Sequence, residues 1–221
     1  MEFTVIISAY NEGQNLADLL RRIPAAIPKA SIIVVDDGSK DNTAEIAESF
    51  NVRVIRHGVN KGKGCAIRSG LEAAPTEIVV LLDGDNQHNP AEMQTLLAEL
   101  EKGNAMVIGS RFLAANKMPA YRNIANVLLS LISRIAGVPS TDPISGYRAL
   151  RKSKFTGLTE TGFNLELELL YNARRDHLSV SEVPINVPFI EKRSSVLNYL
   201  PNAIKVYGSM MLYSLRRLLF G

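Results

Sequence analysis

Five consecutive apolar residues, Ile78-Val79-Val80-Leu81-Leu82, run without a break into Asp83-Gly84-Asp85-Asn86-Gln87-His88. A strand that is apolar at every position is covered on both faces, and that arrangement belongs to parallel sheets held between layers of helices. The two carboxylates therefore fall at the carboxyl end of a buried strand, the edge where open α/β sheets bind ligands. Gly84 between them lets a bulky group approach the backbone. Asp83, Asp85 and the amide oxygen of Gln87 make a hard, all-oxygen donor set, which suits Mg²⁺ or Mn²⁺ on a diphosphate better than a soft metal. The plainer alternative is an ordinary polar loop; the buried strand and Gln87 favour the metal.

The rest of the first half repeats this plan. Thr4 to Asn11 reads as a buried first strand, and Asn11-Glu12-Gly13 opens a helix with Leu16, Leu19, Leu20 and Ile23 at helical spacing, closed by Pro24 and Pro28. Ser31 to Val35 is a second buried strand ending in Asp36-Asp37-Gly38-Ser39, after which Asp41-Asn42-Thr43 caps a helix to about Phe50. A strand from Val52 to Arg56, a helix ending at Ala74, a helix from Pro90 to Lys102 and a strand from Ala105 to Ile108 leading into Gly109-Ser110-Arg111 follow. This alternation predicts an α/β fold with a doubly wound, mostly parallel sheet.

Between the third strand and its helix lies Gly58-Val59-Asn60-Lys61-Gly62-Lys63-Gly64. A Walker A loop needs four residues between its first glycine and Gly-Lys, then Ser or Thr; here three intervene and Gly64 follows. The dinucleotide fingerprint after the first strand is absent too. What remains is a basic loop whose Lys61, Lys63 and Arg68 either contact a nucleotide or face solvent.

The second half changes character. Tyr121 to Ala136 is a long apolar helix with Arg122 and Arg134 at its ends, and Thr141-Asp142-Pro143-Ile144-Ser145-Gly146-Tyr147-Arg148 is a turn feeding a short strand. Phe163 to Asn172 is a further helix, and Val180 to Phe189 reads as an edge or irregular strand because of Pro184 and Pro188. From Asn198 to Phe220 a helix carries Leu200, Ile204, Tyr207, Met211, Leu215 and Leu218 on one face and is apolar on more than one side, so something must cover it. That cover is the domain itself, a second copy, or a membrane surface met by Lys205, Arg216 and Arg217.

Bulk properties exclude several classes. A single cysteine, Cys65, rules out an internal disulfide and a cysteine-based zinc site. A net charge of +3 and a sequence pI near 9.0 fall short of a nucleic-acid binder and lean towards anionic partners such as phosphates or lipid headgroups. The longest charge-free apolar stretch near the C-terminus, Val206 to Leu215, is shorter than the roughly 20 residues that a span requires. Met1-Glu2-Phe3-Thr4 leads straight into a strand-like run, so the expected location is the cytoplasm, with any membrane contact peripheral at its cytoplasmic face.

Six ordered blocks then carry a family resemblance. Ser8-Ala9-Tyr10-Asn11-Glu12, Val35-Asp36-Asp37-Gly38-Ser39, Lys61-Gly62-Lys63-Gly64, Asp83-Gly84-Asp85-Asn86-Gln87-His88, Gly109-Ser110-Arg111 and Asp142-Pro143-Ile144-Ser145-Gly146-Tyr147-Arg148 resemble, in order, the motifs of family 2 inverting glycosyltransferases, closest to the dolichyl-phosphate mannose or glucose synthase branch. The resemblance implies the nucleotide-diphospho-sugar transferase (GT-A) fold. It divides the chain into a catalytic domain at 1–195 and a C-terminal helix at 196–221. Within the domain, residues 1–111 are the nucleotide-sugar and metal half and 112–195 the acceptor half.

By the same resemblance Ala9, Tyr10 and Glu12 lie along the nucleotide, with Val35 and Asp37 at the base, where a carboxylate accepts from a ring N–H of uracil or guanine. Lys63 and Gly84 belong with these donor-binding positions. Asp83 touches the ribose or metal side, and Asp85 and Gln87 hold Mg²⁺ or Mn²⁺ on the diphosphate. The implied reaction moves a hexose from a GDP- or UDP-linked donor to a polyprenyl or dolichyl phosphate, an anionic acceptor that needs no strong base. Arg122 and Ser145, with Arg134 behind them, match the positions that hold that phosphate. Partners are then the donor, the lipid phosphate and either a membrane surface or a second copy, with no nucleic acid.

Three departures stand out: Thr141 where some members carry arginine, Ser194-Ser195-Val196-Leu197 where glycine and lysine commonly follow the arginine matching Arg193, and Ala9 where proline is common. Two of them remove positive charge from the acceptor side. The main rival reading is transfer to a hydroxyl, with Asp142 as the base. A nucleotidyltransferase would want a basic N-terminal loop that Ser8 to Gln14 lacks, and a silent sugar-nucleotide-binding subunit is disfavoured by intact Asp83, Asp85 and Gln87. His88 is expected to order its loop, and His57 and His177 to have no constellation around them.

Overall fold

The structure, a computed structural model, describes residues 1–28, 30–114, 116, 120–135, 137–187 and 200–220, and of residues 120–122, 200–204, 217, 218 and 220 the backbone alone. Its strands are β1 (Phe3–Ala9), β2 (Ser31–Asp36), β3 (Arg53–Arg56), β4 (Ile78–Asp83), β5 (Met106–Ser110), β6 (Arg148–Arg151) and β7 (Val180–Pro184). They form one sheet in the order β3-β2-β1-β4-β6-β5-β7. Every pairing is parallel except those of β6, which runs antiparallel between β4 and β5. The expected mostly parallel sheet is what the chain forms, and β7 is the edge strand that Pro184 predicts.

The helices are α1 (Gly13–Ala26), α2 (Thr43–Glu48), α3 (Lys63–Ala73), α4 (Met93–Glu101), α5 (Ala120–Ile135), α6 (Leu165–Arg175) and α7 (Leu200–Phe220). The unbroken apolar strands are buried on both faces because two cores flank the sheet. Ile6, Ile33, Val79 and Leu81 point to one core with Ile67 of α3 and Leu169 of α6. Val5, Ile7, Val34, Val80 and Leu82 point to the other with Leu16 and Leu19 of α1 and Leu96 of α4. Successive residues of one strand thus serve opposite cores, as the pleat requires.

Several boundaries differ from the sequence reading. Pro24 lies inside α1, in its last turn, and the helix ends at Ala26. Near a helix end a proline removes only one bond, and Ile27 N–H still reaches the Ile23 carbonyl at 2.8 Å. Pro90–Glu92 form a 3₁₀ turn ahead of α4, with the Asn89 side chain accepting from the Ala91 N–H. Asp41 does not simply cap α2: one of its oxygens accepts from Thr43 and the other from the Gly13 N–H at 3.1 Å, at the start of α1. The expectations for Pro188, Phe189, Arg193 and Ser194 to Leu197 lie outside the described residues.

Helix α7 packs on α5 and α6. No described helix is long and apolar enough to cross a membrane.

Candidate active site

Strand order reverses direction at β1, which pairs with β2 on one side and β4 on the other. A crevice opens outside the carboxyl ends of strands at such a switch point. The register sets Ser8 opposite Asp83 and Ala9 opposite Asp36, so the acids that the sequence places at strand ends meet along one edge. Two backbone bonds lock this edge to β1: Gly84 N–H donates to the Ser8 carbonyl at 3.0 Å, and Asp37 N–H to the Ala9 carbonyl at 2.9 Å. A Cβ on Gly84 would stand 3.0 Å from the Ala9 Cβ, which is why glycine separates the two acids. Asn86 takes a positive φ of 59° and is clamped from α1, accepting from Arg22 at 2.7 Å and donating to Asp18 at 2.6 Å.

A cavity of about 370 Å³ occupies the crevice. Ala9, Tyr10, Glu12, Asp37, Lys63, Asp83, Gly84 and Asp85 all line it, so the structure brings most of the predicted donor-side residues to one place. Val35 is not among them; its side chain is fully buried in the core. A smaller cavity of about 80 Å³ shares Lys63, Asp83, Asp85 and Phe163 with the first and continues past Gln87, His88 and Arg111 to Val206, Tyr207 and Met210 of α7.

Lys63 sits between the two. It is the first residue of α3, and its ammonium lies 2.7 Å from Asp83 and 2.7 Å from Glu166 of α6. Burial works against its charge, but the two carboxylates outweigh that and hold its pKa above the ordinary lysine value. Burial likewise opposes ionised Asp83, and Lys63 in turn keeps its pKa below the usual carboxylate value. The phenyl ring of Phe163 lies 5.8 Å from the same ammonium. At Lys63 the glycine-rich loop therefore turns inward and does not face solvent. Gly62 and Gly64 press against the carbonyls of Glu160 and Thr161, and the Cys65 N–H donates to Thr161 at 3.2 Å. Arg68 turns away to the Leu158 carbonyl at 3.2 Å, and Lys61 is exposed.

Asp83, Asp85 and Gln87 fit a divalent cation in donor chemistry, since all three carry oxygen and line the smaller cavity, which Asp83 and Asp85 share with the larger. Among the described residues no group of three or more His, Cys, Asp or Glu is placed to hold a metal. An ion here would therefore take the rest of its shell from outside the protein.

The 142–148 turn is held from within. Asp142, fully buried, accepts from Arg111 three times, from Nε at 2.7 Å, Nη2 at 2.8 Å and the backbone N–H at 3.0 Å. Burial resists the Arg111 charge, but Asp142 overcomes it and raises its pKa above the usual value. The Ser145 hydroxyl donates to the Gly109 carbonyl at 2.6 Å and is 1% exposed, so it braces the turn and does not face the cavity. Thr141, which stands in place of an arginine, bonds Ser110 at 2.6 Å and Glu182 of β7 at 2.6 Å. Arg148 is buried, has no ion pair with a carboxylate among the described residues, and donates to the carbonyls of Pro143, Ser145 and Glu166 at 2.7 to 2.8 Å. Burial pushes its pKa down to about 10. The side chain of Arg122 lies outside those described; Arg134 is exposed in the last turn of α5.

His88 is buried with its ring 4.8 Å from that of Tyr147, and burial pushes its pKa down to about 4, which keeps the imidazole neutral. Contrary to expectation, His57 does have a constellation: it bonds Asp37 and Ser69. Lys63–Glu166, Arg111–Asp142 and His57 are the features that the sequence leaves unpaired. The only signal in the chain is the run of leucines around Glu166; α6 is buried at every position from Leu165 to Ala173, its two carboxylates included.

A mostly parallel sheet with one antiparallel strand, and with acids gathered at the switch point, is the architecture of the GT-A fold. The model of glycosyl transferase family 2 matches residues 4–158, and the chain belongs to that family. A dolichol-phosphate mannosyltransferase from Pyrococcus furiosus is 35% identical over 199 residues, which cover 83% of this chain and 56% of that protein. The chain thus spans little more than half the length of that relative. A polyprenol monophosphomannose synthase from Mycolicibacterium smegmatis is 31% identical over 210 residues, 87% of this chain and 78% of the relative. Among solved structures, glucosyl-3-phosphoglycerate synthase from Mycobacterium tuberculosis, in complex with Mn²⁺, UDP-glucose and phosphoglyceric acid, has the same fold with a TM-score of 0.79. It is 23% identical, over 98% of this chain and 79% of that one.

Proposed function

We propose that this chain is a metal-dependent inverting glycosyltransferase that moves a hexose from a GDP- or UDP-linked donor to a polyprenyl phosphate. The observation that carries the reading is the pair of cavities meeting at Lys63, Asp83 and Asp85. One accommodates a sugar nucleotide with Asp37 at the base end. The other leads past Arg111 to the apolar residues of α7. The names of the relatives favour mannose as the hexose.

Asp83, Asp85 and Gln87 are the residues that would hold Mg²⁺ or Mn²⁺, and such an ion, when bound, would supply positive charge for the departing nucleoside diphosphate. Lys63 adds a fixed positive charge between the donor and Glu166, in place before the sugar–phosphate bond breaks. Arg111 keeps Nη1 uncommitted to Asp142 and lines the acceptor cavity, where a guanidinium orients an incoming phosphate oxygen. That oxygen is already anionic and attacks without a base.

The rival transfer to a hydroxyl needs a base, and Asp142 is fully buried and engaged by Arg111. A lipid acceptor also accounts for an apolar face. Ile124, Val127, Leu128, Leu131 and Ile135 of α5 and Leu212, Leu215 and Leu219 of α7 are exposed on two helices that pack together, with exposed Arg134, Lys205 and Arg216 beside them. This face rests on an anionic membrane surface, its apolar side chains among acyl chains and its cations at headgroups.

The test is incubation with labelled GDP-mannose or UDP-glucose, Mn²⁺ or Mg²⁺, and polyprenyl phosphate in anionic vesicles. Label should become lipid-extractable, and Asp85→Ala should abolish it. Label found only on water-soluble acceptors refutes the acceptor; tight nucleotide binding without turnover of any donor leaves a silent binding subunit.

A further inference from the structure

His57 follows β3, and its side chain is 6% exposed. The ring joins two elements, with Nδ1 2.7 Å from Asp37 Oδ1 and Nε2 2.9 Å from the Ser69 Oγ on α3. An ionised carboxylate can only accept, so Nδ1 carries the ring proton and, in the neutral ring, Nε2 accepts from the Ser69 hydroxyl. Asp37 takes two further bonds from the backbone, Lys61 N–H to Oδ1 at 3.0 Å and Gly62 N–H to Oδ2 at 2.8 Å. Oδ1 is thereby filled by two donors. Oδ2 has one, and it is the oxygen left to take a donor from the cavity that Asp37 lines.

Torsion about a carboxylate's last bond is soft, so an Asp held by backbone alone would swing between orientations. The imidazole, which is not among the residues lining the cavity, removes that freedom. Through Ser69 it also ties the carboxylate to α3, the helix that begins with Lys63 at the diphosphate end.

We propose that His57 is the positioning residue that sets the nucleobase preference of this chain. It holds Asp37 so that Oδ2 accepts from a ring N–H, which uracil and guanine present and cytosine and adenine lack. The inference rests on the reading of Asp37 as the base-end acid.

Calorimetric titration of the full chain with UDP, GDP, CDP and ADP in the presence of Mn²⁺ tests it. The unmodified chain should bind UDP or GDP at least about tenfold more tightly than CDP and ADP, and Asp37→Asn should collapse that ratio. His57→Leu should bring the ratio down towards one with CDP and ADP affinities within about twofold of the unmodified chain; His57→Gln, which restores a donor, should recover most of it. If the unmodified chain shows no preference, or Asp37→Asn keeps it, the base-end reading fails and the inference falls with it. If Asp37→Asn collapses the ratio while folded His57→Leu keeps it, or weakens all four nucleotides equally, His57 is merely structural. Should His57→Leu not fold, Ser69→Ala decides: a ratio lowered about threefold supports the inference, and an unchanged one overturns it.

Discussion

Changing Asp142 to asparagine separates an ion-pair anchor from a catalytic base. The carboxylate accepts three N–H groups of Arg111, two on one oxygen and one on the other. Asparagine keeps the shape but offers one carbonyl oxygen and one NH₂ group, so at least one Arg111 donor would face another donor. The guanidinium, its side chain only 17% exposed, would then lose its paired carboxylate and keep only the more distant charge of Asp83. Removing one partner of a buried pair costs about 3–5 kcal/mol. Because Arg111 keeps some contact with solvent, the lower end applies, about 3 kcal/mol. With a urea m-value near 3 kcal/mol/M that lowers the unfolding midpoint by roughly 1 M. Urea unfolding followed by circular dichroism measures this, and sugar transfer is assayed in the same samples without denaturant. A midpoint within about 0.3 M of the unmodified chain, together with abolished transfer, would refute the reasoning. Asp142 would then be a reacting group and not an anchor, and the hydroxyl acceptor would return.

Two further substitutions probe the neighbourhood. In Gly146→Ala the new methyl would lie 2.7 Å from the Lys63 ammonium and 2.8 Å from Asp83 Oδ2, so we expect Mn²⁺-dependent nucleoside diphosphate affinity to fall about tenfold in titration calorimetry while the unfolding midpoint changes little. Arg148→Met leaves the Pro143, Ser145 and Glu166 carbonyls without their donor while relieving a buried charge; guanidinium unfolding should report a net loss of about 3 kcal/mol.

The donor side was readable in the chain because its logic is local. Apolar runs specify buried parallel strands, and the residue after each run is bound to emerge at the sheet's carboxyl edge, so Asp37, Asp83 and Asp85 could be placed before any contact was known. The acceptor side was less readable because its logic is long-range. Nothing near Lys63 announces Glu166, and nothing near Thr141 announces Glu182; each pair depends on which strands and helices become neighbours. The insertion of β6 against the direction of the sheet decides this, since it brings the 142–148 turn beside β4 and β5. A short run such as Arg148–Arg151 carries no signal of its direction. The role of His57 is illegible in the chain for the same reason, since its partners lie just after β2 and on α3.

The last two residues of β1 have a consequence of their own. Ser8 fixes the loop that carries Asp83 and Asp85, and Ala9 fixes Asp37, each through a main-chain carbonyl that no side-chain substitution removes. The spacing between Asp37 and the loop of Asp83 and Asp85 is therefore a property of the backbone, a gauge set by two adjacent residues of one strand. On the proposed function, exchanging side chains around the second cavity would change what receives the sugar while that gauge stays as it is.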